Sequence, residues 1–111
     1  MSNATNLAAI KQTYYLIDDN FDQIYSQCNT PDLKQQATEL RDGARDAYWK
    51  AVAANLADET NLVNTIRKQL QDTNSQVQDS LSDLKDIVGF LKLMTEALKL
   101  ACSLAVLAAA A

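Results

Sequence analysis

Histidine is missing from this 111-residue chain, and glycine and proline nearly so, at two and one. Without an imidazole there is no Ser-His-Asp or Cys-His catalysis, no His-ligated zinc protease site and no Glu-x-x-His di-iron site. Two glycines cannot furnish a phosphate-cradling loop or the turns of an all-β domain. Positive charge is also sparse. The formal net charge is −4, with three arginines, and the nearest basic pair, Arg41 and Arg45, is followed residue by residue by Asp42 and Asp46. That patch cancels itself, so the clustered cations that displace counterions from phosphates are lacking and no nucleic-acid partner is expected. The two cysteines, Cys28 and Cys102, have no metal or CxxC spacing. They read as small apolar residues of a reduced compartment, with a single long-range disulfide as the alternative. The first residues carry neither the basic nor the apolar region of a signal peptide, so a cytoplasmic setting is the default expectation.

What is present is apolar and helix-forming: 48% hydrophobic residues, with 17 alanines and 15 leucines. Leu7, Ile10, Tyr14, Ile17, Phe21, Ile24 and Cys28 alternate steps of three and four, a heptad seam that predicts one helix over about 5–28. Asn29-Thr30-Pro31-Asp32 then gives a boundary: Thr30 suits an N-cap, Pro31 the first helical position and Asp32 the positive end of the dipole. A connection this short folds the next helix back antiparallel, over about 31–58. Its seam is small (Leu33, Ala37, Leu40, Ala44, Ala47, Ala51, Ala54), with Gly43 beside it. The bulky rows of the first helix, Tyr14, Phe21 and Tyr25, are the expected filling of that alanine groove.

After the polar stretch Asp58-Glu59-Thr60-Asn61 a third seam starts at Val63 and keeps register to Ala105. Two readings follow. In the preferred one the polar residues 74–80 hide a turn, at the capping-box candidates Ser75-Gln78 or Ser80-Asp83, giving helices at about 61–74 and 80–108. In the other, a single very long C-terminal helix makes a three-helix molecule. The expectation is thus one all-α domain over 1–111, an extended antiparallel, coiled-coil-like bundle of four helices with three as the alternative.

The C-terminal segment is the unusual one. From Ile87 onward the only charges are Lys92, Glu96 and Lys99, on one stripe with Gly89 and Ser103. A helix apolar over most of its circumference needs several neighbours. It is the central helix of a small bundle, or it covers its extra face with another subunit or with lipid. The charge-free run 100–111 is shorter than the ~20 residues a span requires. Candidate interface residues are therefore Phe90, Leu91, Leu93, Met94, Leu98, Leu100, Leu104 and Leu107, together with Tyr48 and Trp49, the only bulky pair on the alanine-rich helix. Adjacent helical residues point about 100° apart, so one of that pair faces the core and the other the rim. The helical hairpin and the size are similar to those of the WXG100-type secreted proteins. However, Trp49-Lys50-Ala51 lacks the glycine of the motif and sits in mid-helix, not in the turn. The acidic trio Asp18, Asp19 and Asp22 has no EF-hand loop around it and reads as solvated surface.

No catalytic, cofactor-binding or metal-ligating residue is expected. The expectation is a non-enzymatic interaction or assembly protein, a homo-oligomer or the binder of a helical partner. A membrane-active protein (a pore, a holin-like protein, or a toxin component or accessory subunit using 87–111) is the alternative.

Overall fold

The computed structural model describes residues 2–54, 56 and 60–109. Among these there are five helices and no strand: α1 (Ser2–Asp18), α2 (Phe21–Gln27), α3 (Pro31–Ala53), α4 (Asn61–Ser80) and α5 (Ile87–Ala109). With α2 continuing the line of α1, they form a bundle of four rods measuring 43 × 22 × 18 Å.

The first rod departs from its expected single helix at Asp19-Asn20. The Asn20 side-chain amide donates to the Leu16 carbonyl at 2.9 Å, and its backbone sits at φ −113°, ψ 14°. A short amide side chain that competes for a helix carbonyl interrupts the ladder. The seam survives the interruption, since Ile10, Ile17, Ile24 and Cys28 are all buried. Thr30 caps α3 as its sequence predicts, accepting from the Leu33 backbone N–H at 3.2 Å, with Pro31 at the first helical position. The helix ends at Ala53 instead of running to about 58; positions 55 and 57–59 lie outside the described residues. Thr60 caps α4 in the same way through the Val63 N–H at 3.3 Å.

The break between the last two helices exists but lies later than expected. α4 passes through Ser75, whose hydroxyl donates to the Gln71 carbonyl, and ends at Ser80 rather than at about 74. Neither serine starts a helix. The turn occupies 81–86, and α5 starts after Asp86, whose carboxylate accepts from the Gly89 N–H at 3.0 Å. The capping group is thus an aspartate followed by glycine at the third position. A Cβ on Gly89 would collide with that carboxylate.

Directions follow from residue pairs. Tyr14 stacks on Tyr48, and Arg41 covers the Phe21 ring, so α1–α2 and α3 run antiparallel. Asn6 meets Arg67 and Thr13 meets Asn74, both 61 positions on, so α1 and α4 are parallel neighbours. Leu33 lies near Leu91, Gly43 near Leu98, and Ala54 near Ala109, so α3 and α5 are parallel neighbours too. α1 and α5 touch each other and both of the remaining rods, while α3 and α4 stand on opposite sides. The link from α3 to α4 therefore crosses the bundle end diagonally, with Leu56 fully buried and its carbonyl accepting from the Asn6 amide at 3.0 Å.

The core is aliphatic and alanine-lined. α3 contributes Ala37, Leu40, Ala44, Ala47 and Ala51, as its seam predicts; α5 contributes Ile87, Phe90, Leu91, Met94, Ala97, Ala101, Leu104 and Ala108. Of the aromatic rows of the first rod, Tyr14 and Phe21 are half-buried against this core, whereas Tyr25 is exposed. Tyr14 and Tyr48 stack at 5.7 Å on the flank between α1 and α3, and Lys34 lies over the Tyr25 ring at 5.5 Å.

One polar cluster is buried between α1 and α4. The Asn74 amide donates to the Ala9 carbonyl at 3.1 Å, and the Thr13 hydroxyl lies 2.9 Å from the Asn74 side-chain oxygen. That hydroxyl is also 3.1 Å from the Ala9 carbonyl, so its single proton serves one acceptor at a time. Replacing Asn74 with alanine removes both of its buried hydrogen bonds, leaves the Thr13 hydroxyl only the Ala9 carbonyl of its own helix, and is expected to lower stability by about 1–3 kcal/mol in urea denaturation. Asp86→Ala, which removes the α5 cap, is expected to cost about 1 kcal/mol by the same measurement.

Candidate functional site

The expected interface residues of α5 divide into two groups. Phe90, Leu91, Met94 and Leu104 are at most 2% exposed. They pack inside their own bundle because α5, like α1, touches all three of the other rods, so no partner reaches them in this conformation. Leu93, Leu98, Leu100 and Leu107 are half-buried against the same core. The surplus apolar surface inferred for this helix is largely covered within the monomer. Its polar stripe, Lys92, Glu96, Lys99 and Ser103, faces solvent as the spacing predicts.

Tyr48 and Trp49 also separate. Tyr48 is half-buried, with its ring on Tyr14, whereas Trp49 is 58% exposed and touches Tyr48 at 5.2 Å between centroids. With Tyr15 and Val52 they form an aromatic strip along the flank of α1 and α3. Lys11 lies over the Tyr15 ring at 5.3 Å. Arg45 is bound to Asp42 at 3.3 Å on the exposed surface, and Arg41 is engaged with Phe21. The basic pair of the sequence is thus divided between a local ion pair and an aromatic ring.

An open groove lies between α3 and α5 near the end where both helices finish. Its volume is about 480 Å³. Gly43, Ala47 and Ala54 line one wall, and Cys102, Ala105 and Ala109 the other. These side chains are too short to fill the space between two helix backbones, so the groove stays empty where longer residues would have closed it. Val106, on its edge, is 69% exposed, the highest value among the large apolar residues. Asp46 and Lys50 stand exposed on the α3 rim. Sequence reading assigned the small residues of α3 to the first helix and missed this second use. The signal was there in Gly43 and Ala54, which lie toward the side opposite Tyr48 on a helical projection.

Both thiols are free. Cys28 is buried at the far end of the first rod, and its hydrogen-bond contact is the Ile24 carbonyl at 3.3 Å. Cys102 is exposed in the groove near the other end. The four-rod layout thus keeps them apart and leaves no intramolecular disulfide. Burial raises the pKa of each thiol above the ordinary 9.0, with Lys34 opposing the rise at Cys28 and Lys50 at Cys102. A thiol that ionises later in the folded than in the unfolded chain stabilises the fold below about pH 9, and that contribution is lost as pH rises further.

Among the described residues no cluster of acidic or sulfur side chains is arranged to hold a metal ion, and no helix is long and apolar enough to cross a membrane. The chain matches no family model, no curated protein and no solved structure.

Two outcomes follow. Leu104→Ala is expected to cost about 2–5 kcal/mol of stability, as a core truncation does, whereas Val106→Ala is expected to stay within about 0.5 kcal/mol; thermal or urea denaturation separates them. Alkylation of the native protein at neutral pH is expected to label Cys102, with Cys28 becoming reactive only in denaturant, as peptide mapping can read.

Proposed function

We propose that this protein is a non-enzymatic helical assembly protein that associates through the open face between α3 and α5. The observation that carries the reading is the apolar groove with Val106 exposed on its edge. A monomeric bundle of this size gains nothing from leaving an alanine-walled channel and a valine in water, because each buried methylene contributes about 0.8 kcal/mol. Exposed apolar surface that adjoins a concave wall is the usual form of a protein-binding face. The chemistry beside the groove agrees with this. Its polar rim groups are one carboxylate and one ammonium on the same helix, and the chain has no imidazole to move protons.

Sedimentation and light scattering of the intact protein, alone and with vesicles of phosphatidylcholine and phosphatidylglycerol, test the reading. The expected result is concentration-dependent association without lipid and no change on adding vesicles. Partition onto vesicles by a protein that is otherwise monomeric overturns it in favour of membrane activity.

A further inference from the structure

We propose that the occupant of the groove between α3 and α5 is the same face of a second copy of this chain, docked across a two-fold axis perpendicular to α3. This deepens the assembly reading and rests on it. A two-fold interface must be complementary to itself, presenting both a knob and the hole that receives it. This face has both: the exposed Val106 and, on the facing wall, Ala47 and Ala54, whose side chains are single methyl groups.

The rim charges select the same geometry. Asp46 and Lys50 lie one helical turn apart on α3, both exposed and neither ion-paired among the described residues. A partner surface of one charge sign repels one of them. A surface with the order reversed satisfies both, and α3 itself, turned by 180°, is such a surface. With the axis passing between them, each Asp46 carboxylate faces the Lys50 ammonium of the other copy, giving two equivalent pairs.

This placement fixes the rest of the register. α3 and α5 run parallel, with Gly43 level with Leu98 and Ala47 with Cys102. An axis midway between Asp46 and Lys50 therefore passes within a fraction of a turn of Cys102. Val106 lies about 4.5 Å beyond the axis along α5. In the opposed copy the same displacement runs the other way, so Val106 comes level with the stretch from Gly43 to Ala47, where Leu98 lies against Gly43. Knob, hole and charge pairs agree on a single placement. The groove from Gly43 to Ala54 is only about 17 Å long, so the contact belongs to the small, weak class of specific interfaces, with dissociation in the micromolar range.

Sedimentation velocity on the full chain from about 1 µM to about 1 mM covers that range. The expected result is a reversible monomer–dimer equilibrium. Val106→Asp, on an exposed helical position, abolishes it with unchanged circular dichroism and melting temperature. Asp46→Lys weakens it by about tenfold, through two lost pairs and two repulsions. Asp46→Lys combined with Lys50→Asp restores it to within a few-fold of the original, a recovery that non-specific apolar adhesion does not produce. A short bis-maleimide joins two copies through Cys102 in the original protein and not in Val106→Asp. A strictly monomeric chain, a dimer indifferent to Val106→Asp, or a double exchange no better than the single one overturns the docking. Assembly of a different stoichiometry overturns the two-fold placement alone and leaves the assembly reading standing, whereas vesicle partition by a monomer overturns that reading itself.

Discussion

α5 is apolar on three sides, and burying those sides dictates the arrangement of everything else. α1 and α3, joined by a tight turn, cover only part of it. The hairpin partner α4 has to lie on the remaining side, which puts α4 opposite α3 and next to α1. The link between α3 and α4 must then cross the end of the bundle diagonally, and Leu56 is buried beneath it. A simple up-and-down ring, with each rod beside its sequence neighbours, would have placed α1 beside α5 but left α3 and α5 apart on a diagonal. The observed order lets α5 touch all three of the other long helices.

That choice makes α1 and α4 parallel neighbours, and the buried polar cluster marks their register. Apolar side chains tolerate sliding by a turn, because one leucine resembles the next. Asn74 does not, since its amide has to meet the Ala9 carbonyl and its oxygen the Thr13 hydroxyl. A displaced register would leave the Asn74 amide and side-chain oxygen buried without partners, at a cost of about 1–3 kcal/mol for each group, while Thr13 and Ala9 keep the bond within their own helix. At the end of the same seam the Arg67 guanidinium reaches the side-chain oxygens of Asn6 and Asn64, while its Nε is buried with no hydrogen-bond partner among the described residues.

Periodicity made the rods legible in the sequence. The seams through Ile10, Ile17 and Ile24 and through Ala37, Ala44 and Ala51 are the observed inward faces, and Thr30-Pro31 marks the observed start of α3. The features that escaped it are those periodicity does not encode. Asn6, Thr13 and Asn74 are polar residues at inward positions, where a pattern of apolar residues has a gap and gives no hint of a partner more than sixty residues away. Asp86 caps α5 through an Asp-x-x-Gly spacing, outside the Ser/Thr template that pointed to Ser75 and Ser80. The diagonal crossing depends on how four rods share one apolar helix, a tertiary matter. The candidate site was half legible. The apolar excess of α5 was visible, but most of it serves the monomer's own core. What is left over lies at Val106 and along a groove made by side chains that are too small, a feature defined by what two neighbouring helices fail to fill.

The sequence separation of the α1–α4 cluster has a kinetic meaning. Each antiparallel hairpin, α1–α2 with α3 and α4 with α5, joins helices adjacent along the chain, so the entropy lost in closing it is small and it can assemble early. The contacts of Thr13 and Ala9 with Asn74 span 61 and 65 residues and form only when the two halves meet. They belong to the late part of folding, when rapidly formed halves are sorted for the one alignment that satisfies them. Misaligned encounters then dissociate faster than the correct one, and the asparagine acts as a proofreading step on the docking of two hairpins.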